Sequence, residues 1–166
     1  MKRLLKILAP AVLCLIVAIP LVAAQGTPIG EVDTAAGEAV YSSTCVACHM
    51  QNGAGVPSAF PPLAGHVPDL YNAEGGRVYL QRVLLYGLTG AIEVDGINYS
   101  SAMPAWATLD NQSLADIYNH IVTAWGNEDE LAEAFEPMTA AEMEEQRHLN
   151  LSTSDVHDER QELGLD

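Results

Sequence analysis

"CVACH", residues 45–49, sets two thiols and an imidazole within five positions of a 166-residue chain that holds three cysteines in all. At the end of a helix, Cys45, Cys48 and His49 fall at i, i+3 and i+4, so their side chains share one face within one turn. Such a cluster can grip one flat object from one side. A redox dithiol, part of a zinc site and a covalent attachment point are the three chemistries to weigh.

Cys14 stands in a different setting. The chain opens with a basic "MKRLLK", continues as the apolar "ILAPAVLCLIVAIPLV" and reaches "VAA" before Gln25. This is the pattern of a secretory leader, with cleavage expected after Ala24. The other reading is an uncleaved anchor, a membrane tether through residues 7–24. Either way the remainder, 25–166, is exported. Its only cysteines are then Cys45 and Cys48, in a compartment where thiols are readily oxidised.

Losing Lys2, Arg3 and Lys6 leaves Arg77, Arg82, Arg147 and Arg160 against 22 acids, which moves the formal charge from −15 to −18. A nucleic-acid binder would carry a basic stripe, so that class is excluded. A basic partner surface is the complement of this charge, which also maintains solubility.

The pattern after residue 30 is helical with long loops. "DTAAGEAVYSST" reads as a helix capped by Asp33 or Thr34 and running into the cluster. "MQNGAGVPSAFPPLAGH" has glycine, proline and no periodicity, and reads as a loop. "GRVYLQRVLLYG" repeats apolar residues at helical spacing and stops at Gly87. "AIEVDGINY" alternates around Asp95-Gly96, a strong hairpin signal. "NQSLADIYNHIVTAWG" carries Leu114, Ile117, Tyr118, Ile121 and Trp125 on one stripe. Three helices with loops this long leave the centre of a small domain for something other than side chains to fill.

Residues 127–166 hold 13 of the acids and a short repeat, "MTAAEMEEQR" at 138–147 and "LSTSDVHDER" at 151–160. Thr139 with Glu142 and Ser152 with Asp155 have capping-box spacing, so two short capped helices are expected, lying on the core or projecting from it. The chain thus divides into a leader or anchor at 1–24, a globular part at 25–126 and an acidic tail at 127–166.

A thioredoxin-like dithiol needs a βαβ setting that is missing here. A structural zinc site needs four ligands, and no second cysteine pair exists to supply the rest. C-x-x-C-H is instead the attachment signature of haem c, with the thiols joined to the porphyrin and the histidine bound to iron. No second such motif occurs, so one haem is expected.

At this point residues 31–126 resemble the class I c-type cytochromes. The likeness rests on "CVACH", "PPLAG" at 61–65, "MPAW" at 103–106 and the closing helix with "AWGN". It implies an all-α fold of three main helices and long loops around one covalent haem c, with a small hairpin added. It implies that Pro61 offers its carbonyl to His49, that Leu63 lies against the porphyrin, and that Gly37 and Tyr41 meet Tyr118 and its neighbours at a helix crossing.

Met103, 54 residues after His49, is the second axial ligand on this reading. His66 and His120 are its rivals, with His120 placed opposite the apolar stripe and expected in solvent. Met50 faces the wrong way, and His148 and His157 read as surface groups of the tail. Haem carboxylates need cations, for which Arg82, and after it Arg77, is the candidate. Tyr79, Tyr99 and Trp106 pack on the haem, bond its propionates or serve as core aromatics.

The function implied is one-electron transfer between extracytoplasmic redox proteins, a donor and an acceptor, with no catalytic site in the chain. The resembling domains occur with bacterial periplasmic dehydrogenases, nitrite reductases and terminal oxidases. Two alternatives stand beside it: a subunit docked through the tail in a larger complex, and a haem enzyme or gas-binding module with an open distal side.

Overall fold

The computed structural model describes residues 34–165. The leader or anchor, its cleavage point and the Asp33 cap lie outside the described residues. The described chain is mostly helical with one small antiparallel hairpin, an architecture compatible with a cytochrome c fold. Among the described residues no helix is long and apolar enough to cross a membrane.

Helix α1 (Thr34–Thr44) is followed by the single turn α2 (Val46–His49), which contains most of the CxxCH segment. A short α3 (Val67–Asn72) has Pro68 in its first turn, where a missing N–H costs nothing. Sequence periodicity gives no signal over six residues, and this element has no counterpart in the reading above. Helix α4 (Gly76–Tyr86) ends at Gly87, and α5 (Asn111–Thr123) is capped by the Asp110 carboxylate accepting from Ser113 N–H. The hairpin pairs β1 (Ile92–Val94) with β2 (Ile97–Tyr99), Ile92 opposite Tyr99. Asp95 and Gly96 both have positive φ, as a type I′ turn requires.

The crossing of α1 and α5 organises the core. Gly37 is buried there, and a Cβ added to it would sit 2.3 Å from the Asp116 carbonyl and 2.7 Å from the Cβ of His120. The helices approach this closely because residue 37 has no side chain. Tyr41, wholly buried, packs on His120 and Trp125 with ring centroids 5.1 and 5.2 Å away. Tyr118 points elsewhere, donating to the Arg77 carbonyl at 3.3 Å. His120 is therefore not solvated as its position on the helical wheel suggests. Helix α5 packs against α1, α3, α4 and the tail at once, so more than its apolar stripe is covered.

The tail is woven into this core. Helices α6 (Ala140–Arg147) and α7 (Thr153–Glu162) both start with complete capping boxes, Thr139 with Glu142 and Ser152 with Asp155. Met138, Met143 and Val156 are at most 3% exposed and belong to the main hydrophobic cluster. Full burial of such a side chain contributes about 1.5–3 kcal/mol, so the three together rival the ~5–15 kcal/mol that stabilises a whole domain. Asn119 fixes the entry to the tail with two hydrogen bonds, accepting from Met138 N–H at 2.7 Å and donating to its carbonyl at 3.0 Å. Two ion pairs add orientation, Arg77 to Glu142 at 2.8 Å and Arg82 to Glu159 at 2.6 Å. Partly exposed pairs contribute little by themselves.

Gly37→Ala forces a methyl into the Asp116 carbonyl, and an overpacking cost of about 1–3 kcal/mol is expected as a lowered thermal midpoint. The tail has a defined acid limit. Burial tends to raise the Glu142 pKa, but hydrogen bonds from Thr139 and Arg77 prevail and hold it below its usual value. The Ser152 hydroxyl and backbone N–H do the same for Asp155. Groups with depressed native pKa stabilise fully above their unfolded values, about 4, and lose that contribution as pH falls through the native ones. Limited proteolysis should find the 148–152 connection fully protected at about pH 5 and progressively more cleavable as pH falls below about 4.

Candidate haem site

One cleft in the protein has two adjoining halves. Cys45, His49, Pro61, Leu88, Ile92 and Met103 border both of them. The outer half adds Cys48, Tyr99, Pro104 and Trp106, and the inner half adds Leu63, His66, Leu80, Leu84, Ile117 and Arg160. The lining is almost wholly apolar on the inner side, with the sulfur and nitrogen donors grouped at the boundary.

His49 is held by geometry on its far side. Its Nδ1 lies 2.9 Å from the Pro61 carbonyl, which can only accept, so Nδ1 carries the proton and Nε2 keeps its lone pair. Burial pushes the His49 pKa down, with the Pro61 bond as a partial offset, so the ring is kept neutral and able to ligate. The Pro61 carbonyl is placed in turn by the loop around it. Gly53 accepts from Leu63 N–H at 2.7 Å and Ala64 N–H at 3.1 Å, and Gly55 N–H donates to His49 O at 3.1 Å. Tyr41 Oη donates to Met50 O at 2.7 Å and Trp125 Nε1 to Gln51 O at 3.1 Å, tying the start of the loop to the helix crossing.

Asn127 closes the network from the other end. Fully buried, it accepts from Gly65 N–H at 2.8 Å and donates to the carbonyls of Leu63 and Ile121 at 3.1 and 2.7 Å. Sequence reasoning has "AWGN" as a likeness and gives the asparagine no task. Its signal is only that a polar residue directly follows a left-handed Trp125-Gly126 pair.

Met103 is positioned by a two-residue bridge, with Leu88 N–H donating to its carbonyl at 3.1 Å and its own N–H to Leu88 O at 2.9 Å. Gly87 makes room for this bridge, since a Cβ there would lie 2.5 Å from the Met103 carbonyl. Cys45 is buried, and desolvation raises its pKa against a partial offset from the Thr44 hydroxyl.

The expected carboxylate partner is elsewhere. Arg82 reaches away from the cleft, its Nε donating to Gln146 at 3.0 Å and its Nη1 to Glu159 at 2.6 Å. Arg77 donates to Tyr71, the Glu136 carbonyl and Glu142. Both arginines turn to the tail because its acids pack directly over α4. The arginine that does border the inner cleft is Arg160, which the sequence reading passes over. Tyr79 borders the inner half with it. His66 also lines the inner half, 4.0 Å from Asp69, whereas His120 lies at the helix crossing. His157 is fixed 2.8 Å from the Ala91 carbonyl.

Two thiols, a neutral imidazole and a thioether around an apolar slot form a donor set that fits a covalently attached haem. Fold and site together define a c-type cytochrome. The sequence comparisons agree: the family described as cytochrome C oxidase, cbb3-type, subunit III matches residues 32–121, and the chain belongs to it. Cytochrome c-552 of Thermus thermophilus is 47% identical over 129 residues, 78% of this chain and 97% of that protein. The cytochrome c subunit of alcohol dehydrogenase (quinone) from Gluconobacter oxydans is 36% identical over 94 residues, 55% of this chain and 19% of its own. The cofactor is covalent haem c, and the function is haem-mediated electron transfer.

Replacing both Cys45 and Cys48 by serine is expected to leave a polypeptide without attached haem. Haem staining of a denaturing gel and the mass of the intact chain check this.

Proposed function

We propose that the protein is a one-electron carrier whose haem c is ligated by His49 Nε2 and Met103 Sδ, and which is not itself an enzyme. The observation that carries this reading is that His49 and Met103 both border both halves of the cleft, each on a braced backbone. An iron held by imidazole and thioether exchanges single electrons at a raised potential and offers no position to a substrate. The chain's residues do the rest. Pro61 keeps the His49 proton on Nδ1, the Leu88 bridge holds Met103 in place, and the apolar lining excludes water. With both ligands fixed, little rearranges on electron transfer.

We infer donor and acceptor redox proteins on the extracytoplasmic side, meeting this one through small transient contacts. The formal charge suits a partner with a basic face, which would speed encounter at low salt. A subunit role is the second reading. It is favoured by the likeness to a cytochrome c subunit of a dehydrogenase. The tail's apolar side chains are committed to this chain's own core, so such docking would use exposed acids and not the helices' buried faces.

Met103→Ala should open one axial position. The expected result is carbon monoxide binding by the ferrous protein and a lowered midpoint potential, read by spectroelectrochemistry. A wild-type protein that already binds carbon monoxide readily would have an open distal side and overturn the closed-carrier reading, whereas a variant with unchanged spectrum and potential would assign the second ligand elsewhere, with His66 the first candidate.

A further inference from the structure

We propose that Arg160, on the last helix of the chain, is the cationic partner of a haem carboxylate, which makes α7 part of the cofactor site. The proposal rests on haem c filling the cleft described above. Haem carries two propionates, and a carboxylate at the edge of an apolar slot is costly to bury unless a cation or a set of donors meets it. Arginine suits this task because its planar fork matches a carboxylate and stays charged.

The positions of the arginines discriminate between them. Arg77 and Arg82 turn to the tail, and Arg147 donates to Asn111 and to the carbonyls of Ala107 and Leu109. Arg160 is 0% exposed and borders the inner cleft beside Leu70, Tyr79, Leu80 and Val83. Its Nη2 donates to the Glu93 carbonyl of β1 at 3.2 Å and to the Leu165 carbonyl at 3.3 Å. These two bonds fix the orientation of the guanidinium in the cleft wall. A positive charge held in a low-dielectric wall biases the slot toward an anionic ligand group.

The helix that carries Arg160 is itself fixed. Val156 is wholly buried in the core, His157 lies 2.8 Å from the Ala91 carbonyl, and Glu159 pairs with Arg82 at 2.6 Å. Together with the Glu93 contact, α7 thus grips the chain on both sides of Ile92, a residue that borders both halves of the cleft.

The test compares Arg160→Gln, Arg160→Lys and Arg82→Gln in the full haem-loaded protein. It reads midpoint potential, the redox-induced infrared difference in the carboxylate region, and cleavage of the tail by limited proteolysis. Removing a cation near the iron favours the ferric state, so Arg160→Gln should lower the midpoint and shift the propionate band. Arg160→Lys should keep most of the midpoint while altering the band. Arg82→Gln loosens the same helix and should raise cleavage with the midpoint unmoved. The proposal fails if Arg160→Gln leaves midpoint and band as in the wild type, or if Arg82→Gln moves them equally. Should Arg160→Gln not accumulate with haem, Arg160→Lys decides, an unaltered carboxylate band overturning the proposal. A colourless wild-type protein would instead overturn the assignment of haem to the cleft.

Discussion

The hydrogen bond from His49 Nδ1 to the Pro61 carbonyl is 2.9 Å long, part-buried and directional, and much of the surrounding structure exists to hold its two ends still. One end is set by α2, which is fastened to α1 through Cys45 N–H on the Tyr41 carbonyl. The other end is a proline in an irregular loop, where no helix or sheet ladder fixes the backbone. Tyr41, Trp125, Gly53 and Asn127 supply that fixation from three separate parts of the chain. A misplaced Pro61 would free the imidazole to rotate or exchange its tautomer, and the Nε2 lone pair that the proposed ligation uses would be lost with it. The terminal helix crossing therefore serves the site as well as the core, since Tyr41 and Trp125 belong to both.

The legible parts of this protein are those in which local chemistry decides the outcome. CxxCH states its own spacing, Asp95-Gly96 states a turn that few other residues permit, and Thr139 and Ser152 with their acids state where two helices begin. The illegible parts are set by contacts between distant segments. The six residues of α3 are too few to show a period. Asn127 looks like any polar residue after a glycine until its partners, 62 and 64 positions away, are known. His120 sits on the wheel where solvent is expected, but α5 is packed on several faces, and a glycine on α1 brings a second helix down over it.

Arg82 shows the same limit in another form. Sequence proximity and charge place it near a haem carboxylate, since it is one of two arginines in residues 25–126. That inference assumes the tail is remote. Instead the tail brings Glu159 and Gln146 to Arg82, and carries its own Arg160 to the cleft. Composition misleads here for a physical reason: an acidic, apolar-poor segment resembles one that stays in solvent. Yet Met138, Met143 and Val156 are buried in the core cluster, and Leu151, Leu163 and Leu165 pack against it, so the two capped helices are docked.

A cofactor that fills the centre of a small domain leaves few side chains to cover its far edge. The 34–126 stretch is committed to the near side: α1 and α2 to the attachment, the 50–65 loop to His49, and the Leu88 bridge to Met103. The hairpin closes one flank, but three-residue strands with no third neighbour among the described residues are marginal by themselves. Helix α7 braces the hairpin, because His157 and Arg160 engage the carbonyls of Ala91, just before β1, and of Glu93 within it. Most of the acids on α6 and α7, Glu144, Glu145, Asp155, Asp158 and Glu162, are exposed and add charge without disturbing that contact, while Glu142 and Glu159 face the arginines of α4. Coverage of the cleft and display of charge are thus assigned to opposite faces of the same short helices.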